Sequence, residues 1–250
     1  MNLNQKIAIV TGASSGIGEA TAVELANRGA TVIVSDINIQ NGQSVVNIIN
    51  KNGGKAIFVK ANVANDREVN ALIDEVLEQF GRLDIMINNA GIAGDLSFFE
   101  HISDEDWDSI IAVNQTGVFY CMRAALKIMK AQKSGCIVNT SSVAGIGAAP
   151  RMGAYAASKH AVIGMTKTAA AEYAKYNVRV NAICPTVIKT PMGMGYMDED
   201  IQVQQMVKAA IPMKRFGEAY EVARTVCWLC SDDASFITGE SVRIDGGMKA

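Results

Sequence analysis

Tyr155 and Lys159 stand four residues apart in Tyr155-Ala156-Ala157-Ser158-Lys159, inside a stretch with helical spacing, so the two side chains share one helix face. A free tyrosine ionises near pH ~10, too high for efficient proton transfer at neutral pH. An ammonium group beside the phenol favours the phenolate and lowers that value. The pair could therefore perform general acid–base chemistry. The spacing alone is common on helix surfaces, so its meaning depends on the residues around it.

A second set of residues suits a ligand carrying phosphates. The first apolar strand runs into Thr11-Gly12-Ala13-Ser14-Ser15-Gly16-Ile17-Gly18. Glycines there allow a tight turn and close backbone approach to a pyrophosphate, and the following helix offers its N-terminal amides to the anion. A glycine-rich run by itself is a weak signal, but its place between a strand and a helix strengthens it. The second strand ends at Asp36, where a carboxylate can accept hydrogen bonds from both hydroxyls of an adenosine ribose and repel a 2′-phosphate. Ser14, Ser15 and Ile37 bring no cation to reverse that preference. Charge therefore points to NAD rather than NADP. The cation of oxidised nicotinamide would also help lower the pKa of Tyr155.

These residues are positioned by alternating apolar strands and amphipathic helices. The pattern predicts strands at 6–11, 31–35, 56–60, 83–87, 136–140, 179–184 and 241–244. Helices are predicted at 16–29, 39–52, 66–80, 104–131, 153–176 and 218–231, with Ser103 as the N-cap of the long fourth helix. Strands apolar on both faces, each followed by a helix, imply an α/β fold. The expectation is a single-domain, Rossmann-type, doubly wound parallel sheet of about seven strands with helices on both faces, spanning 1–250. Such folds bind ligands at the carboxyl ends of their strands. Asn114 is out of place by this scheme. It is a poor helix-interior residue inside the long helix, close to Gly117, and local conflicts of this kind often mark functional sites.

Composition excludes several classes. The chain has 250 residues, 49% hydrophobic and 19% charged, a globular balance, and its net charge of -2 with no basic run argues against nucleic-acid binding. No apolar run approaches the ~18 residues of a membrane span. The N-terminus passes directly into a strand without a secretory leader, so a cytoplasmic protein is expected. Five cysteines, an odd number, argue against a disulfide framework. Cys227 and Cys230 form a C-x-x-C without the second pair that a zinc ribbon needs, and buried structural thiols are expected. His101 and His160 are the only histidines, which makes a histidine-based metal site an unpromising reading.

Gly12-x-x-x-Gly16-x-Gly18, Asn88-Asn89-Ala90-Gly91 and Tyr155-x-x-x-Lys159, in this order, resemble the short-chain dehydrogenase/reductase family from about Lys6 to Gly247. The resemblance implies Asn114, Ser142, Tyr155 and Lys159 as the catalytic set. Ser142, thirteen residues before Tyr155, would hydrogen-bond the substrate oxygen, with Ser141 as the competing candidate. Asn114 would hold a water linking Lys159 to solvent. It also implies cofactor contacts at Gly12, Ser14, Ser15, Gly16, Ile17, Gly18, Asp36, Asn62, Val63, Asn89, Ala90, Gly91, Tyr155, Lys159, Pro185, Ile188 and Thr190. Two positions depart from the family pattern: Asn62 replaces an aspartate, and Thr186 replaces a glycine after Pro185. Family members are commonly homotetramers, and a homotetramer is expected here.

The resemblance further implies hydride transfer between NAD(H) and a carbonyl or secondary alcohol, without a metal. A substrate lid is expected at 191–211, where Met192, Met194, Tyr196 and Met197 suggest an adaptable apolar surface and hence a mainly apolar small-molecule substrate. Arg151 is the one nearby cation that could grip an anionic group. A 3-oxoacyl-carrier-protein reductase is the alternative enzyme, although Ser15 and Asp36 disfavour its usual NADPH. A non-catalytic NAD-binding scaffold is disfavoured because all four members of the catalytic set are present.

Overall fold

The computed structural model describes residues 1–195 and 201–250. Strand β1 (Ile7–Thr11) is buried along its whole length. Its alternate side chains serve two cores: Ala8 and Val10 face one, Ile7 and Ile9 the other. That two-sided burial is why the strand is apolar at every position. β1 pairs in parallel with β2 (Thr31–Asp36) on one side and β4 (Ile85–Asn88) on the other. β3 (Lys55–Lys60), β5 (Gly135–Thr140), β6 (Val178–Pro185) and β9 (Ser241–Ile244) complete a seven-stranded sheet in the order β3-β2-β1-β4-β5-β6-β9. Every pairing in it is parallel.

Helices cover both faces. α1 (Gly16–Asn27), α2 (Ile39–Lys51) and α9 (Ala219–Cys230) close the first core. α3 (Asp66–Phe80), α5 (Gly117–Gln132) and α6 (Gly153–Tyr173) close the second. The winding reverses between β1 and β4, so a crevice opens at the carboxyl ends of these strands. The expected single-domain doubly wound sheet is therefore observed.

The long fourth helix is not continuous. α4 (Asp104–Ile111) begins at Ser103, whose hydroxyl accepts the Asp106 amide at 3.1 Å, as expected of an N-cap. A π-helical turn over Ala112–Thr116 then interrupts the α-helix before α5 begins. This corrects the expectation of one helix over 104–131, and the interruption centres on Asn114. Beyond β6, β7 (Ile188–Lys189) pairs in parallel with β8 (Gly217–Glu218), a small second sheet that apolar periodicity does not signal. α7 (Pro191–Gly195) and α8 (Ile201–Ala210) lie between them, in the segment expected to form a lid. Tyr196 and Met197 fall outside the described residues. All five cysteines are buried free thiols. Among the described residues no helix is long and apolar enough to cross a membrane.

Candidate active site

The glycine turn is held by close backbone contacts. Gly12 has a φ of +61°, and a Cβ there would lie 2.6 Å from the Ala90 Cα, so the ends of β1 and β4 meet with no room for a side chain. At Gly18 a Cβ would lie 2.1 Å from the Gly12 carbonyl oxygen. Asn89 locks the arrangement by donating from Nδ2 to the carbonyls of Thr11 and Gly12, at 3.1 and 3.0 Å. Ser15 precedes α1 but its side chain accepts no hydrogen bond from the first turn, so the helix presents amides without a side-chain acceptor. At the end of β2, Asp36 accepts the Ser14 amide at 3.1 Å and the Asn38 amide at 2.9 Å, which orients its carboxylate while leaving further acceptor capacity. Open helix amides, an oriented acid and glycines too crowded for side chains are the features a dinucleotide needs.

One cleft of about 760 Å³ joins this region to the catalytic candidates. Gly12, Ser14, Ser15, Gly16, Ile17, Asp36, Asn89, Ala90, Gly91, Pro185, Ile188 and Thr190 line it, together with Ser142, Tyr155 and Lys159. Gly18 and Asn114 lie beneath its surface rather than on it. Asn62 and Val63 are not on its wall either. The Asn62 side chain accepts the Ala64 amide at 3.0 Å, and Val63 packs where a Cβ on Gly117 would stand, 2.8 Å from its Cγ2. The glycine that looked costly in the helix is thus required by this packing. Thr186 makes no unusual demand on the backbone, because it is not among the residues with positive φ.

α6 carries Tyr155 and Lys159 on one face, as their spacing predicts. Lys159 is buried, donates from Nζ to the Thr140 carbonyl at 2.9 Å and lies 5.4 Å from the centre of the Tyr155 ring. Burial lowers its pKa to about 8. Tyr155 behaves opposite to the sequence expectation. Burial pushes its phenol above the usual value, and the facing Ser142 hydroxyl pulls it part of the way back. Removal from water thus outweighs any help from the ammonium.

The remaining polar residues sort themselves by partner. Ser142 accepts the Ala144 amide at 3.1 Å and faces Tyr155, whereas Ser141 donates to the Lys159 carbonyl at 2.9 Å and so braces α6. Asn114 is fully buried. It accepts the Ile92 amide at 2.8 Å and donates to the Ile92 carbonyl at 2.7 Å. A Cβ built on Gly91 would lie 3.2 Å from Asn114 Oδ1 and 3.5 Å from Lys159 Nζ, so both groups reach the same spot behind the cleft. His160 bonds the Ala156 carbonyl on the exposed side of α6, away from Lys159. Arg151 donates to the Leu96 carbonyl at 3.2 Å and stacks over Phe98, and it is not part of the cleft wall.

Comparison with known proteins matches this geometry. A family model described as enoyl-(acyl carrier protein) reductase matches residues 12–249. The chain is 43% identical over 243 residues to a cyclohexanol dehydrogenase of Acinetobacter sp. (strain SE19), covering 97% of this chain and 94% of that one. The chain belongs to the short-chain dehydrogenase/reductase family. It is also 41% identical over 248 residues to a 3-oxoacyl-(acyl-carrier-protein) reductase of Thermotoga maritima, covering 99% of both chains. A solved NAD+-bound xylitol dehydrogenase superposes with a TM-score of 0.93 at 34% identity, covering 99% of this chain and 100% of that one. As a member of this family the chain is an oxidoreductase that acts on alcohol and carbonyl groups of a small molecule, with a nicotinamide cofactor.

Sequence reasoning missed most of the substrate end. Met192, Val203 and Val207 of the expected lid line the cleft, while Met194 packs beside Ile211 and Phe216. Met248 and Lys249, close to the C-terminus, line it as well. Their only sequence signal is Asp245-Gly246-Gly247, a turn able to send the tail back across the sheet.

Proposed function

We propose that this enzyme transfers a hydride between NAD(H) and a ketone or secondary alcohol on a mainly apolar small molecule, with Tyr155 as acid/base. The observation that carries the reading is a single cleft with Asp36 at one end, the Ser142–Tyr155 hydroxyl pair within it and an apolar wall beyond. That wall includes Ala93, Leu96, Val143, Ala149, Val187 and Met192. Asp36 lies on the cleft wall while Lys60, its register partner on β3, does not, and this supports the unphosphorylated ribose of NAD(H). The glycine turn and the start of α1 would hold the pyrophosphate, Pro185, Ile188 and Thr190 would hold the nicotinamide end, and Asn62 and Val63 would flank the adenine.

When bound, the nicotinamide supplies or accepts the hydride. The chain's own residues manage the oxygen and its proton. Ser142 and Tyr155 hold the carbonyl oxygen through their hydroxyls. Tyr155 gives its proton to that oxygen during reduction and takes it back during oxidation. Lys159, buried beside it with its pKa near 8, can release and regain a proton close to neutral pH. Asn114 serves the relay by shaping the space beside Lys159 that a water would occupy. We further infer a homotetramer, supported by large apolar side chains exposed on α4 and α5 (Trp107 and Phe119) and at Phe236 ahead of β9. The five unpaired thiols support a reducing, cytoplasmic setting.

The test follows the absorbance of NADH and of NADPH with cyclic, aliphatic and aromatic ketones, acyl thioesters and the matching alcohols. NADH-linked turnover of apolar ketones or alcohols is the expected result. The similarity to a carrier-protein reductase keeps a second reading, and NADPH-linked turnover of acyl thioesters would establish it in place of the first.

A further inference from the structure

Among the described residues the cleft wall carries two lysines, the buried Lys159 and, near the C-terminus, Lys249, whose place is fixed by the turn before it. Asp245 is buried and accepts the amides of Gly247 and Lys249 at 3.0 and 2.9 Å. Arg243 donates to the Lys249 carbonyl. Gly246 and Gly247, with φ of +60° and +88°, turn the tail back. Met248 then packs with Ile211 and Phe216, and its sulfur accepts the Thr186 hydroxyl at 3.0 Å. The ammonium comes to rest against the loop that follows Ser142: a Cβ on Gly147 would lie 3.1 Å from Lys249 Nζ. The glycine leaves that approach open.

Lys249 is half-buried, and no carboxylate among the described residues forms an ion pair with it. Its ammonium has no protein acceptor among the described residues, and a ligand oxygen would supply one. We infer that Lys249 is a specificity-determining residue. It holds an electron-rich oxygen on the substrate, a carboxylate or a second carbonyl, separated from the reacting carbon by an apolar body. The inference rests on the carbonyl-reducing reading of the cleft and narrows its substrate class from simple ketones to bifunctional ones.

The test compares kcat/KM for 4-oxocyclohexanecarboxylate, cyclohexane-1,4-dione and cyclohexanone, using the full-length enzyme with saturating NADH and, in parallel, NADPH. Wild type should favour the two oxygen-bearing ketones over cyclohexanone. Lys249→Met should reduce that preference about tenfold, mainly through KM, and Lys249→Arg should largely retain it. A loss confined to the carboxylate would identify charge as the recognised feature, and a loss shared by the dione would identify the hydrogen bond. A preference that Lys249→Met does not move overturns the role of Lys249 while leaving the carbonyl chemistry standing. Absence of turnover with all three ketones and both cofactors would instead overturn the carbonyl reading, and this inference with it.

Discussion

At the scale of single residues, the site depends on what burial does to two ionisable groups. Tyr155 is pushed up and Lys159 is pulled down to about 8, so without cofactor the pair is poised toward its neutral forms. A cationic nicotinamide beside the phenol would favour its ionised form. The lysine shift has a consequence for stability. Between about 8 and its ordinary value of 10.5, the unfolded chain binds more protons at this side chain than the folded one. The penalty of burying Lys159 is therefore fully present below about pH 8 and is relieved as pH rises toward 10.5. Lys159→Met should gain stability relative to wild type at pH 7, by roughly 3 kcal/mol at most from the removed charge, less about 1 kcal/mol for the lost hydrogen bond to Thr140, and the gain should shrink by pH 9.5. Urea unfolding at the two pH values checks this, and a difference independent of pH would contradict it. The spacing of Tyr155 and Lys159 was legible in the sequence. The sign of the tyrosine shift was not, because it depends on enclosure that spacing does not report.

At the scale of elements, the alternation of strand and helix was readable because the central strands of the sheet are covered on both faces. Continuous apolar runs such as Ile7–Val10 have no other ready explanation. Where an element's shape serves the site, the periodicity misled. The π-helical turn at Ala112–Thr116 looks like uninterrupted helix in the sequence, and only the misfit of Asn114 marked it. That asparagine satisfies both backbone groups of Ile92, which follows the cleft-lining Gly91. Asn114→Leu should leave those groups without partners and lower stability by about 2 kcal/mol or more. Thermal unfolding measures the loss. Asn114→Asp, which keeps the acceptor but not the donor, should fall between the two, and a leucine variant as stable as wild type would refute the bracing role. The tail that carries Lys249 was invisible for a related reason: a few residues after the last strand have no periodicity to read.

At the scale of the whole molecule, the winding reversal between β1 and β4 explains why residues far apart in sequence share one cleft. Asp36 ends β2, Ser142 and Tyr155 follow β5 and Ile188 follows β6, and they meet because each lies at or beyond the carboxyl end of a strand. The surface adds a feature that burial patterns alone could not assign, namely the exposed rings of Trp107, Phe119 and Phe236. In a homotetramer these would be covered. Light scattering should then give a mass about four times the 26.6 kDa of the chain, and Phe119→Glu should lower it. A monomeric mass for the wild type would contradict the assembly.

The central claim, that Tyr155 moves the proton while the nicotinamide exchanges the hydride, is tested most directly by Tyr155→Phe. The variant keeps the ring and removes the one hydroxyl assigned to proton transfer. The measurement is kcat with the best ketone from the panel, paired with NADH binding followed by fluorescence. The account predicts a loss of about 100-fold or more in kcat with NADH affinity nearly intact. A variant that binds NADH and turns over at close to the wild-type rate would remove Tyr155 from the reaction and the proposed mechanism with it.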